Sequence, residues 1–253
     1  MTKSLNIILF GETGVGKSSL VNLIAGEEVA QTSGDSDACT MTYRPYCFQV
    51  HEISYTIWDT RGFDAVNTAM RAKGYLAAVE QAYKLIRDLT ASGGVDLLVL
   101  CHREGRITAT TRSNYRLFYE VLCDSNVPVA LVITFLERHA RMEDWWEQNV
   151  EVFERHEMRA AGHACVTGLS GHSKSQESRL AIENMLGHHD DKGRYNMPPE
   201  QWFPRFVQRW ARMRSCPNGL KKSDLEDFLR RRCGLGVRDA HDIAGILAEG
   251  RDG

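Results

Sequence analysis

The chain has 253 residues, enough for one large α/β domain or a domain of about 190 residues with an appendage. Its 31 Lys and Arg nearly balance 33 Asp and Glu, so net charge gives no reason to expect nucleic acid or an anionic membrane as partner. Seven cysteines without a CxxC pair read as reduced thiols, no apolar run nears the roughly 20 residues of a membrane span, and Met1-Thr2-Lys3-Ser4 lacks a secretory leader pattern; the expected location is cytoplasmic.

Residues 5–10 form an apolar run that ends in glycine, the pattern of a buried parallel strand. A helix is expected over 17–25, then a loop over 26–44 rich in Gly, Ser, Thr and Asp. Strands follow over 46–50 and 54–58, and a helix over 68–90 in which Leu76, Val79, Tyr83 and Ile86 recur at helical spacing. Further strands are expected over 95–101, 128–134 and, weakly, 163–167, with helices over 111–123, 142–159 and 176–186. Strands alternating with helices imply βαβ units and a mainly parallel, three-layered α/β sheet. Residues 188–200, with Gly193 and the pair Pro198-Pro199, read as a linker, which divides the chain into 1–187 and a helical extension over 188–253 of two to four short helices.

The run Gly11-Glu12-Thr13-Gly14-Val15-Gly16-Lys17-Ser18 joins the first strand to the first helix. A Gly-x4-Gly-Lys-Ser match arises by chance in a chain this long about one time in a hundred, at average residue usage. Its placement carries more weight, because a phosphate cradle needs backbone N–H groups and a helix N-terminus aimed at the anion. Lys17 then reaches the β and γ phosphates, and Ser18, followed by Ser19, offers a hydroxyl to Mg²⁺. Octahedral Mg²⁺ calls for a second anionic group, which Asp59 at the end of the third strand supplies. In Asp59-Thr60-Arg61-Gly62 the Gly62 N–H meets the γ-phosphate. A hydroxyl from the loop between, Thr40 or alternatively Thr42, completes the metal shell when that phosphate is present.

Taken in this order, Gly11 to Ser18, Thr40, Asp59 to Gly62 and Gly105-Arg106-Ile107-Thr108 resemble the translation-factor-related P-loop GTPases. Within them the chain is similar to the AIG-type group, which includes the GIMAP proteins and the plastid-import Toc GTPases, and it looks closest to fungal G-domain proteins. The resemblance covers residues 5–187 and implies a Ras-like G domain with a mostly parallel six-stranded sheet, Mg²⁺ and GTP or GDP as ligands, and hydrolysis of GTP to GDP and phosphate. The family's Thr/Asn-Lys-x-Asp base reader stands here as Thr134-Phe135-Leu136-Glu137, where Glu137 keeps the carboxylate and Phe135 offers a ring for stacking. Thr167-Gly168 occupies the place of the last base-contacting loop. Phe63 stands where Ras-like enzymes carry a water-orienting glutamine, so the resemblance implies slow intrinsic turnover. Arg106 matches an arginine proposed in GIMAP-type proteins to act across a dimer of G domains, and Arg61 is a weaker candidate for that role.

Trp202, Phe203, Phe206, Val207, Trp210 and Met213 share one helical face, opening a basic stretch over 202–222. That face reads first as core packed on the G domain and second as a membrane contact. A nucleotide-dependent switch or scaffold with negligible turnover, and a P-loop ATPase or phosphotransferase, are the other functional readings. Nucleic acid is not expected as a partner.

Overall fold

The computed structural model describes residues 3–30, 42–50, 52–61, 72–187, 194–213, 216–217 and 220–249. In chain order these form β1 (Lys3–Phe10), α1 (Lys17–Ala25), β2 (Thr42–Val50), β3 (Ile53–Arg61), α2 (Ala72–Ala91) and β4 (Leu97–Arg103). There follow α3 (Ala109–Tyr115), which continues as a π-helical stretch over Arg116–Leu122, then β5 (Val129–Thr134), α4 (Glu143–Arg155), β6 (Gly162–Cys165) and α5 (Ser175–Gly187). Three more helices close the chain: α6 (Pro199–Met213), α7 (Lys222–Cys233) and α8 (Val237–Glu249).

One six-stranded sheet runs in the order β2-β3-β1-β4-β5-β6. The pairs β1–β3, β1–β4, β4–β5 and β5–β6 are parallel. Only two residues separate β2 from β3, which forces that edge pair to be antiparallel. Phe48 stacks on Tyr55 with ring centres 5.9 Å apart across it. The fold is thus the α/β sheet that alternating strands and helices predict.

Alternation along the buried strands sends side chains to both faces. Leu5, Ile7 and Leu9 of β1, Ile57 of β3, Val99 of β4 and Val132 of β5 form one core with Leu20 and Ile24 of α1 and Ile182 and Met185 of α5. The alternate set, Ile8, Phe10, Leu98, Leu100, Leu131 and Ile133, is equally buried on the other face. There Phe10 meets Phe118 with ring centres 4.5 Å apart, and His102 meets Phe153 of α4 edge-on at 5.7 Å. Loss of Phe118 would open a cavity costing about 3–5 kcal/mol.

The chain divides into two compact units. The first, Met1–Asp37, Tyr43–Asp64 and Val95–Tyr195, holds the sheet. Its end is tied back by a bridge between Tyr195 and Val95 and by the Arg194 Nε donating to Asp96 at 2.9 Å. The second, Ala38–Thr42, Ala65–Gly94 and Asn196–Gly253, is built from α2 with α6, α7 and α8, so the C-terminal helices share their core with a helix from the middle of the chain. Tyr75 and Tyr83 of α2 pack on Trp210 and Phe203 of α6 with ring centres 4.7 and 5.0 Å apart. The buried Glu80 carboxylate pairs with Lys84 at 2.7 Å and with Arg232 of α7 at 3.1 Å. Its pKa is lowered although burial, the largest influence, opposes ionisation, because these two cations hydrogen-bond the carboxylate.

One pair of readings is decided here and one expectation changes. The aromatic face of α6 is not free for a membrane, since Trp202, Phe203, Phe206, Val207 and Trp210 are all buried. Pro199, read as part of a linker, opens α6, where its missing N–H costs nothing. Among the described residues no helix is long and apolar enough to cross a membrane, and six cysteines are free thiols.

Candidate nucleotide site

The loop between β1 and α1 is shaped by what lies beneath it. Gly11 has φ +143°, and a Cβ there would stand 2.2 Å from the carbonyl oxygen of Cys101, so only glycine fits. The carbonyl of Val15, in the middle of the loop, accepts the Thr134 hydroxyl at 2.7 Å and the Cys101 thiol at 3.3 Å. Burial pushes the Cys101 thiol up to about 12, with the Lys17 ammonium opposing and the Asp59 carboxylate adding to the shift. It is a structural donor, not a nucleophile.

Lys17 begins α1 and is 7% exposed. Its ammonium donates to the Gly11 carbonyl at 2.7 Å and the Glu12 carbonyl at 2.8 Å. The charge is held at the loop mouth by two oxygens that an incoming phosphate can replace. The Glu12 side chain turns the other way. Its Oε1 accepts from the hydroxyls of Thr108 and Thr111, the latter at 2.6 Å.

Asp59 lies in register with Leu9, at the end of β3 beside the strand that enters the loop, and is fully buried. Next to it Thr60 donates its hydroxyl to the Leu9 carbonyl at 2.9 Å. Ser18 and Asp59 offer a hydroxyl and a carboxylate, the hard oxygen donors that suit Mg²⁺ completed by phosphate and water. Thr40 and Gly62 lie outside the described residues, as does Phe63.

The run Thr134-Phe135-Leu136-Glu137, expected to read the base, begins at the end of β5. Phe135 takes φ +67°, a left-handed conformation that an aromatic residue adopts only under local constraint. The Arg103 guanidinium sits 4.1 Å from its ring centre, while a Cβ on Gly16 would lie 3.8 Å from its Cε2. A cation therefore remains beside this position although Phe135 replaces lysine. Thr167, buried after β6, donates its hydroxyl to Glu137 Oε2 at 3.3 Å and accepts from the Leu169 N–H at 3.2 Å. Its own N–H donates to Ser178 Oγ of α5 at 3.0 Å. Ser19 and Thr167 line one groove of about 860 Å³ together with Asn22, Leu23, Gly168 and Arg179. Thr13 and Gly14 are exposed at the tip of the loop.

The family described as 50S ribosome-binding GTPase matches residues 6–135, just over half of the chain, from β1 through the phosphate loop to Phe135. The chain belongs to this GTPase family. No curated protein sequence matches it significantly. Among solved structures, it is similar to Era from Aquifex aeolicus bound to GDP and AlF4⁻, with a TM-score of 0.52 and 16% identity over 83% of this chain and 67% of that one. A second Era structure, with MgGDPNP and a segment of 16S ribosomal RNA, gives 0.52 and 16% over 87% and 70%. Toc33 from Arabidopsis thaliana with GDP and Mg²⁺ gives 0.49 and 15% over 76% and 84%. The likeness to Era is one of fold.

Arg106 is exposed, on the loop between β4 and α3. It lines a groove of about 450 Å³ with Trp145, Asn149, Val152, Phe153 and His156. Sequence reasoning passed over Cys101, Thr111 and Arg103, and did not assign the Glu12 carboxylate a partner. Thr108-x-x-Thr111 carried a signal, since Thr108 caps α3 by accepting the Thr111 N–H at 3.0 Å.

Proposed function

We propose that the protein binds GTP and hydrolyses it with Mg²⁺ to GDP and phosphate, slowly alone and faster when two G domains meet. The observation that supports this best is Lys17, buried at the loop mouth with its ammonium on two replaceable carbonyls. Water attacks the γ-phosphorus, the bond to the β–γ bridging oxygen breaks, and the products are GDP, inorganic phosphate and a proton. Ser18, Asp59 and Thr40 would hold Mg²⁺, Gly62 would meet the γ-phosphate, and Gly11 to Ser19 would wrap the phosphates. When bound, the metal neutralises charge on the phosphate oxygens. Glu137, held by Thr167, would accept from guanine.

In this reading the chain is an AIG-type GTPase of the GIMAP and Toc kind, near the fungal G-domain proteins and cytoplasmic, with a G domain over 1–187 and a helical extension over 188–253. Arg106 would reach the partner's γ-phosphate, an effect worth about 10³ to 10⁵ in rate where an arginine finger is supplied. GTP turnover rising with protein concentration, and losing that rise in Arg106→Ala, is the expected result. A specific activity flat with concentration and untouched by the substitution would overturn the dimer mechanism, and turnover surviving Lys17→Ala would overturn the site.

A further inference from the structure

We propose that Glu12 is a positioning residue: its carboxylate latches the Arg106-bearing loop to the phosphate loop and passes nucleotide occupancy from Lys17 to that loop. The inference rests on the reading of Arg106 given above, and deepens it.

Glu12 stands between two motifs that are 96 residues apart at the hydrogen bond to Thr108. Its backbone carbonyl accepts from the Lys17 ammonium at 2.8 Å. Its Oε1 accepts from Thr108 and Thr111, and Thr108 is the last residue of Gly105-Arg106-Ile107-Thr108. One residue thus grips the phosphate-binding cation through its main chain and the arginine loop through its side chain. A threonine hydroxyl on a carboxylate is a charge-assisted bond, stronger than a neutral pair. Thr111 is buried and held in the α3 turn by its N–H to Thr108, so the receiving end is rigid.

Phosphate in the loop competes for the Lys17 ammonium, and the Glu12 carbonyl then loses a donor. The shift of the Glu12 peptide is carried by the carboxylate to Thr108, two residues from Arg106. A contiguous chain of hydrogen bonds with two arrangements is the physical basis such coupling needs. Arg106 itself is exposed and lies on a loop containing Gly105, so its position depends on how this loop is anchored.

Amide hydrogen exchange over residues 103–111 tests the latch in the purified full chain, without nucleotide and with GMPPNP and Mg²⁺. In wild type the protection of this segment should change with GMPPNP. In Glu12→Ala, and in Thr111→Val, which spares both the phosphate loop and the Thr108 cap of α3, exchange without nucleotide should rise about tenfold and cease to respond to GMPPNP, a size typical of coupled sites. Unaltered protection in both variants overturns the proposal. GTP turnover at high protein concentration adds a readout that a merely structural role would not give. Glu12→Ala should lower kcat about tenfold with KM little changed, Glu12→Gln should retain most of it, and Glu12→Ala should add nothing in an Arg106→Ala background. A full further loss in that background overturns the link to Arg106. If Arg106→Ala is itself silent, the dimer reading fails, while the exchange data still decide the latch.

Discussion

The Thr134 hydroxyl donates to the Val15 carbonyl oxygen across 2.7 Å, joining the end of β5 to the middle of the phosphate loop. Thr134 is also 3.3 Å from the His102 carbonyl, so one side chain sits where β4, β5 and the loop converge. The first residue of the Thr134-Phe135-Leu136-Glu137 run thereby braces the phosphate loop through one buried hydroxyl.

Thr134→Val keeps the shape and removes the donor. Loss of this bond should cost about 1–2 kcal/mol, which for a chain of this size lowers Tm by about 2–4 °C per kcal/mol. GTP affinity should fall with it. Thermal denaturation and a GTP titration check both, and unchanged values would show that the Cys101 thiol alone holds Val15.

Gly11→Ala and Gly14→Ala separate contact from backbone strain. Both glycines have positive φ, but a Cβ on Gly11 meets the Cys101 carbonyl at 2.2 Å, whereas one on Gly14 meets nothing within 4 Å. Gly14→Ala should cost about 1 kcal/mol from the left-handed backbone, and Gly11→Ala about 2–3 kcal/mol more from overpacking. Urea denaturation measures the pair, and equal costs would refute the contact.

With Glu137 as the acceptor proposed for guanine, Glu137→Ala should lower the preference for GTP over ATP at least tenfold. Thr167→Val, which frees the carboxylate without removing it, should lower it by less. Competition of GTP, GDP and ATP for a bound fluorescent GDP reports the ratio. Equal competition by GTP and ATP against wild type would remove Glu137 from base recognition.

His102 is 5% exposed, and burial lowers its pKa from the usual 6.5, against the backbone of Gly105 and the Glu12 carboxylate, which raise it. The folded chain therefore takes up this proton less readily than the unfolded chain. Its contribution to stability is full above about pH 6.5 and is lost as pH falls through the folded value, by at most about 1.4 kcal/mol per pH unit. Tm should fall more steeply between pH 7 and pH 5 in wild type than in His102→Gln. Parallel curves would show that His102 does not titrate with unfolding.

The phosphate loop was legible in the sequence because its conformation is local. Glycine spacing, a strand before it and a helix after it lie within some twenty consecutive residues, and α1 falls on the residues expected of it. The alternation of strands and helices likewise specified an α/β sheet, and Asp59 announced itself at the end of β3.

What holds that loop was decided only in three dimensions. The Cys101 carbonyl under Gly11, the thiol and hydroxyl on Val15, and the threonines on Glu12 come from residues 86 to 119 positions away along the chain. No periodicity encodes such pairings; they exist because parallel strands bring their C-terminal ends to one edge. The tail followed the same rule. An aromatic stripe on α6 suits a core first and a membrane second, and the facing tyrosines of α2, more than a hundred residues earlier, made it core.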